Sequence, residues 1–345
     1  MQYSNYQNIK LNNVSFSKEE ILNFDYSNSE KKEINHIFKF LKNWFDTSNF
    51  IEVETSGSTG KPKQIQIKKQ SFVESAINTC NYLKINVKQN ALLCIPVKYI
   101  GGKMMVIRAL VSGYNLISIE PSKNPLKNLK QNINFIAITP YQGYHILEKN
   151  ALDLEKINNV IIGGGTVNEN FIAKINTFKN NIYSTFGMTE TVSHIALRKL
   201  NGADKSKYFE VLNPYKISLN EENCLVIDCP TLTKDKINTN DIIEIKGNKF
   251  KWLGRKDNII NSGGIKIYPE EIEKKIAPIL IGLNFYISSI SDEILGEKLI
   301  LKIEKSNDIK INLSLVNSKL EKYKSVKEII YLESFDYTEN GKLIR

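Results

Sequence analysis

Between Thr55 and Lys63 the chain reads TSGSTGKPK, a run of hydroxyls and glycines closed by lysines. Glycine exposes consecutive backbone N–H groups, hydroxyls add neutral donors, and Lys61 and Lys63 supply counter-charge, a combination that suits a mobile polyphosphate. Thr55, Ser56, Gly57, Ser58, Thr59 and Gly60 are the residues that would wrap it. The spacing is not that of the common nucleoside-triphosphate loop: Gly57 and Gly60 stand too close together, and Pro62 follows Lys61 where a magnesium-binding hydroxyl is needed. A leaving pyrophosphate fits better. Further polar clusters stand after apolar runs, at GGG (163–165), FGMTET (186–191), TND (239–241) and GRKDN (254–258), and NGK (340–342) lies near the end.

The elements that must carry these clusters are visible from about residue 50 to 190, where short apolar runs alternate with segments of helical period. FIEVET, ALLCIPV, YNLISIE, FIAITP, NNVIIGGG and NIYSTFG read as strands, and QSFVESAINTCNYLKI, GKMMVIRALVSG, YQGYHILEKN and ENFIAKINTF as helices. The alternation predicts an α/β fold whose mostly parallel sheet is covered by helices, with ligands at the loops that follow the strands. From about 205 to 255 the texture is hairpin-like, and Gly247-Asn248 is a turn between alternating strands of an antiparallel appendage. After GRKDN come a Pro-Glu helix start, the strands LNFYISSI and KLILKIEK, a helix NLSLVNSKLEKY and a strand EIIYLESF, together a small α+β module. The expected domains are 1–256 and 257–345.

Composition narrows the class. With 41% hydrophobic and 24% charged residues the chain reads as globular, and it contains no apolar stretch long enough for a membrane span. The polar N-terminus lacks a signal-peptide core, which points to the cytoplasm. Cys80, Cys94, Cys224 and Cys229 form no Cys-x-x-Cys pair and read as buried thiols, so no zinc is expected. The net charge of +10 is spread along the chain and comes almost wholly from lysine, a pattern that a solvated surface explains as well as a nucleic-acid partner does and that would also suit anionic small substrates; no nucleic-acid partner is expected. Arginine is scarce: Arg108, Arg198, Arg255 and Arg345 are the four present.

Five stretches, in order, resemble the motifs of the adenylate-forming superfamily of acyl-CoA synthetases, peptide-synthetase adenylation domains and luciferases. They are TSGSTGKPK, STFGMTET, TND, GRKDNIINSGGIKIYPEEIE and TENGKLIR. The resemblance implies a large N-terminal domain and a small mobile C-terminal one. It also implies ATP, Mg²⁺ and CoA as cofactors and co-substrates and a small carboxylic acid as the partner to be activated. It assigns Thr189 to the α-phosphate, Glu190 to Mg²⁺, and Asp241 to the ribose with Arg255 beside it. Gly163, Gly164, Gly165, Phe186 and Gly187 would lie against adenine or the acyl group. Lys342 would follow the charge that shifts as carboxylate attacks phosphate. Asp257 matches a hinge, and Gly263 and Gly264 match a tunnel for the thiol arm.

Departures from the pattern matter as well. The phosphate loop begins at residue 55, so the first subdomain is pared down; Tyr99 replaces a usual histidine, and Asn240 a usual glycine. Within the superfamily, YIGGKMM and GMTETVSHIALR most resemble the short bacterial o-succinylbenzoate–CoA ligases of menaquinone biosynthesis. Another aryl- or acyl-CoA ligase, or a stand-alone adenylation enzyme that loads a carrier protein, remains the alternative. An acid with a second carboxylate needs a polar or positive pocket, for which Tyr99, Lys103, His194 and Arg198 are the candidates. His194 and Arg198, four apart, would share a face if helical.

Overall fold

The computed structural model describes residues 2–25, 32–54, 64–233, 235–305, 310–336 and 343. They fall into two compact units: Met1–Thr166 with Ile175–Tyr215 and Cys229–Lys234, and Val167–Lys174 with Lys216–Asp228 and Asp235–Arg345.

In the first unit the strands are β1 (Asn8–Leu11), β2 (Val14–Ser17), β3 (Phe50–Glu54), β4 (Gln64–Lys68), β5 (Asn90–Leu93), β6 (Asn115–Ser118), β7 (Phe135–Ile138), β8 (Asn159–Ile162), β9 (Asn181–Gly187), β10 (His194–Lys199) and β11 (Phe209–Val211). Its main sheet has the order β11-β10-β9-β8-β7-β5-β6-β1-β2. The pairings β1/β6, β6/β5, β5/β7, β7/β8 and β8/β9 are parallel; β9/β10, β10/β11 and β1/β2 are antiparallel. The parallel strands are short unbroken apolar runs because both of their faces are buried, as in FIAI and NVII.

Helices fill in between: α1 (Lys18–Asn23), α2 (Lys32–Phe45), α3 (Lys69–Leu83), α4 (Ile100–Ser112), α5 (Pro140–Lys149) and α6 (Ala151–Glu155), while α7 (Glu169–Ile175) belongs almost wholly to the second unit. Helix α2 buries Ile37, Phe38, Leu41 and Trp44 at the spacing of one helical face. Helix α5 starts with a capping box, Thr139 and Gln142 satisfying each other's backbone N–H, and with Pro140 in its first turn. Helix α4 can reach the backbone at Pro96 only because residue 102 is glycine: a Cβ there would stand 2.4 Å from the Pro96 carbonyl oxygen.

Asparagines knit the starting ends of the parallel strands. Asn115 donates to Asn13 and Asn90 at 2.8 and 2.9 Å, Asn134 accepts from the Asn90 backbone at 2.9 Å and donates to Asn158 at 3.0 Å, and Asn181 donates to Asn159 at 3.3 Å. A carboxamide carries both donors and acceptors, so it can serve two neighbouring strands at once.

The α/β class is as expected, and two local readings need correction. FIEVET does not enter the parallel sheet: β3 pairs antiparallel with β4, from Phe50↔Lys68 to Glu54↔Gln64, so the segment 55–63 joins two arms of a ribbon rather than a strand and a helix. HIALRK is strand β10, not helix. Its register slips by one residue between His194 and Ala196, pairing His194 with Gly187 and Arg198 with Ser184. Those partners are three apart on β9, so His194 and Arg198 face opposite sides of the sheet.

The second unit contains an antiparallel sheet of β12 (Lys216–Leu219), β13 (Cys224–Asp228), β14 (Ile237–Lys246) and β15 (Lys249–Arg255), with β14 and β15 joined through Gly247 at φ 59°. It also contains β16 (Ile260–Ser262), β17 (Ile265–Ile267), α8 (Pro269–Ile276), β18 (Phe285–Asp292), β19 (Gly296–Glu304), α9 (Leu313–Asn317) and β20 (Glu328–Leu332). Ile272, Ile276, Ile287, Leu301 and Val316 form the core of this α+β module. The predicted last helix is short, ending at Asn317. Among the described residues no helix is long and apolar enough to cross a membrane.

Candidate functional site

The first unit presents its polar residues where β9 ends. At Gly187 the chain passes so close to the outgoing strand that a Cβ would stand 2.3 Å from the Ser193 carbonyl oxygen. Thr189–Thr191 then make one 3-10 turn, with Thr189 half-buried and Glu190 exposed. Among the described residues the Glu190 carboxylate has no hydrogen bond or ion pair, so a hard oxygen donor stands open to solvent. A magnesium ion that drew its other ligands from phosphates and water would fit there.

Behind the turn lies a buried polar chain. Arg108, on α4, is 2% exposed and donates from Nη2 to Ser193 Oγ at 2.9 Å; its Nη1 meets the Met105 sulfur at 3.8 Å, and Nε has no partner among the described residues. No carboxylate among them neutralises it, and burial pulls its pKa down. The neighbouring His194 is 5% exposed, with Nε2 at 3.1 Å from Thr79 Oγ1 and Nδ1 at 3.4 Å from Ser193 Oγ. The Thr79 hydroxyl spends its proton on the Ser75 carbonyl at 3.0 Å, so His194 donates from Nε2, and a neutral ring then accepts at Nδ1. Burial, aided by the Arg108 charge, holds its pKa well below 6.5 and so favours the neutral ring.

The other predicted residues of this unit are distributed around the ends of the strands. Tyr99 caps α4 with Lys98 over its ring, and Lys103 donates to the Lys98 carbonyl at 2.7 Å. Burial lowers the Lys103 pKa, with Glu54 opposing it. Gly164 has φ 83° and nothing near its absent Cβ, whereas a Cβ on Gly163 would press on Thr185 Oγ1 at 2.5 Å. Gly165 meets only Pro140. Phe186 packs edge-on against Phe209, and the Arg198 guanidinium lies over the same Phe209 ring. Arg198 therefore does not join His194.

In the second unit Asp241, 7% exposed, accepts the indole N–H of Trp252 at Oδ1 over 2.8 Å, and Arg255 stands 3.9 Å from its Oδ2. Thr239 Oγ1 accepts the Asp241 backbone N–H at 3.1 Å, a local contact within β14. Burial raises the Asp241 pKa, opposed by Trp252 and Arg255. Asp257 is held by Arg255 at 3.0 Å and by Asn240, whose amide reaches its two oxygens at 3.1 and 3.2 Å. Asn240 thus gives the Asp257 carboxylate a partner that a glycine cannot. Gly263 and Gly264, at φ 57° and 80°, form the two-residue turn between β16 and β17, and that turn by itself favours glycine at both positions.

Thr55, Ser56, Gly57, Ser58, Thr59, Gly60, Lys61, Lys63, Lys342 and Arg345 lie outside the described residues. Sequence reasoning missed the site roles of Arg108, Ser193, Thr79 and Trp252. The scarcity of arginine was a usable signal for the first, and none existed for the others.

A family model for AMP-binding enzymes matches residues 54–217. The acyl-CoA synthetase (AMP-forming)/AMP-acid ligase II-like protein of Dyadobacter fermentans is 32% identical, with 91% of this chain and 93% of that chain covered and a TM-score of 0.64. The chain belongs to the AMP-binding enzyme family. The 2-succinylbenzoate–CoA ligase of Bacillus cytotoxicus is 23% identical over 85% of this chain and 68% of its own. The o-succinylbenzoate coenzyme A synthetase of Bacillus subtilis, solved with ATP and magnesium ion, shares the fold at a TM-score of 0.74 and 19% identity, over 85% of this chain and 68% of its own. This member of the family therefore spans about two thirds of the length of those ligases.

Proposed function

We propose that the protein is an ATP-dependent, cytoplasmic acid–CoA ligase that acts on an aromatic acid with a second carboxylate, o-succinylbenzoate. A carboxylate oxygen attacks the α-phosphorus of ATP; the bond to the β-phosphate breaks and pyrophosphate leaves with the electron pair. The CoA sulfur, its proton lost to solvent, then attacks the acyl carbon and AMP departs.

The residues divide that work. Residues 55–61 and Lys63 bind the leaving pyrophosphate, Thr189 holds the α-phosphate and Gly163–Gly165 with Phe186 and Gly187 bound the adenine side. Glu190 supplies an oxygen ligand to Mg²⁺, which when bound offsets phosphate charge. Asp241 accepts the ribose hydroxyls on the oxygen that Trp252 leaves open, with Arg255 steadying its charge. Lys342 bridges carboxylate and phosphate in the first half-reaction. For the second, a rotation about Asp257 at the boundary of 1–256 and 257–345 brings the Gly263-Gly264 turn in to admit the thiol.

The observation that carries the substrate choice is Arg108. A buried guanidinium with no carboxylate partner among the described residues is costly unless a ligand supplies one. It is tied to Ser193, two residues beyond the Thr189–Thr191 turn, on the side where the far end of an activated acid would have to be received. The names of the curated relatives support the same acid.

The test is thioester formation by the purified protein with ATP, Mg²⁺ and CoA, offering o-succinylbenzoate, benzoate, a medium-chain fatty acid and an amino acid in parallel. Preference for o-succinylbenzoate supports the reading. Turnover of another acid removes the substrate choice and keeps the chemistry, and pyrophosphate release without thioester points to a carrier protein as acceptor.

A further inference from the structure

Val192 stands at φ 65° and ψ −47°, a backbone conformation that a β-branched residue rarely adopts. The Ser193 N–H donates back to the Thr191 carbonyl at 2.7 Å, so Val192 is the centre of a three-residue γ-turn of the strained, positive-φ kind. Its side chain is fully buried, at 0% exposure, so the strain is not relieved by rotating outward.

Several contacts over-determine the turn. The Thr191 hydroxyl, also buried, accepts the Met188 N–H at 3.0 Å and can donate its one proton to the Ser193 carbonyl at 2.7 Å or to that of Met188 at 3.0 Å. Gly187 lets the Ser193 backbone pass where a Cβ would collide at 2.3 Å. On the far side Ser193 is tied to Arg108 at 2.9 Å. Strain held from this many directions is usually part of how a site is set.

The turn separates two groups of residues. Before it stand Thr189 and Glu190, open at the end of β9; after it stand Ser193 and, through it, Arg108. One strained residue fixes the offset between them. Resting on the function proposed above, we infer that the Thr191–Val192 turn is a positioning element that measures the acid: it sets the separation between the phosphate contacts and the group that receives the far carboxylate. Neither residue touches substrate. Their effect is on which length of diacid brings its near carboxylate to the α-phosphorus.

The test compares Val192→Ala, which keeps the Cβ and its restriction on φ, with Val192→Gly, which frees the backbone. Acid-dependent exchange of pyrophosphate into ATP is measured for a series of aromatic acids whose second carboxylate sits on a chain one carbon shorter, equal to or one carbon longer than the succinyl arm. The wild type and Val192→Ala are expected to keep one preferred length. Val192→Gly is expected to flatten the preference by about 10- to 100-fold, the scale of an ångström-size misplacement, through kcat rather than through the KM for ATP.

Thermal unfolding should show Val192→Gly at least as stable as Val192→Ala, because only glycine is at ease with this backbone. If Val192→Gly does not fold, Thr191→Val and Thr191→Ser carry the same comparison: loss of the hydroxyl flattens the length preference and serine restores it. A preserved length optimum in Val192→Gly and Thr191→Val, or equal flattening in Val192→Ala, overturns the inference. A wild type that exchanges with no acid overturns the function beneath it instead.

Discussion

Arg108 and Ser193, 85 residues apart in sequence, meet through a 2.9 Å hydrogen bond donated by a buried guanidinium that no carboxylate among the described residues neutralises. The contact joins helix α4 to the exit of the Thr189-Glu190 turn and gives the first unit a positive charge in its interior. Replacing Arg108 by methionine should separate binding from stability. Loss of one charge-assisted hydrogen bond is worth about 1.5–3 kcal/mol, or about 10- to 100-fold in kcat/KM for the diacid. An acid without the second carboxylate should be unaffected. The unfolding temperature should hold or rise, because the variant no longer buries an unpaired charge. Parallel kinetics on the two acids and a thermal melt check both halves.

His194 predicts an acid limb in stability. Its folded pKa is depressed well below 6.5, so the native state keeps it neutral while the unfolded chain takes up a proton. The unfolded state then binds more protons as pH falls through 6.5, and stability declines in that direction. His194→Gln should flatten the urea midpoint between neutrality and pH 5, a range of about 2 units in which an imidazole charges.

Asp241 has the opposite sign. Burial raises its folded pKa above the ordinary 3.8, so stability falls as pH rises from there through the raised value and the buried charge costs stability beyond it. Asp241→Asn should therefore be more stable than wild type at neutral pH and converge with it below 3.8, while losing nucleotide affinity. Trp252→Phe should raise the KM for ATP by about 10-fold or more, the scale of one hydrogen bond to a charged group, with the acid's KM unchanged. Melts against pH and ATP titrations read these directly.

The asparagine network predicts a purely structural loss. Asn115→Ala removes donors to Asn13 and Asn90 and the acceptor for the Asn13 backbone N–H. The cost should be about 1–3 kcal/mol in chemical unfolding, with kcat/KM unchanged because the starting ends of the strands are remote from the polar loops.

The parallel strands were legible in sequence because burial on both faces leaves unbroken apolar runs such as FIAI and NVII, bounded by asparagine and glycine. The β3/β4 ribbon was not, because the nine residues between its arms carry no short-turn signal and the helix that follows β4 suggests a crossover instead. HIALRK is open between helix and strand in the sequence for a different reason: its first four residues are all buried, and the bulge at its start removes the alternation that marks a strand. The polar loops themselves stood out by residue type. What fixes their geometry did not, since Val192 holds a conformation against its own propensity and Trp252 reads as one more alternating strand residue.

The central claim is that this chain activates a two-carboxylate aromatic acid as its adenylate. The most direct measurement is pyrophosphate exchange into ATP with Mg²⁺ and no CoA, in the presence of o-succinylbenzoate and, separately, benzoate. Exchange that depends on o-succinylbenzoate and is weak with benzoate is the predicted result. Equal exchange with both acids, or none with either, would contradict it.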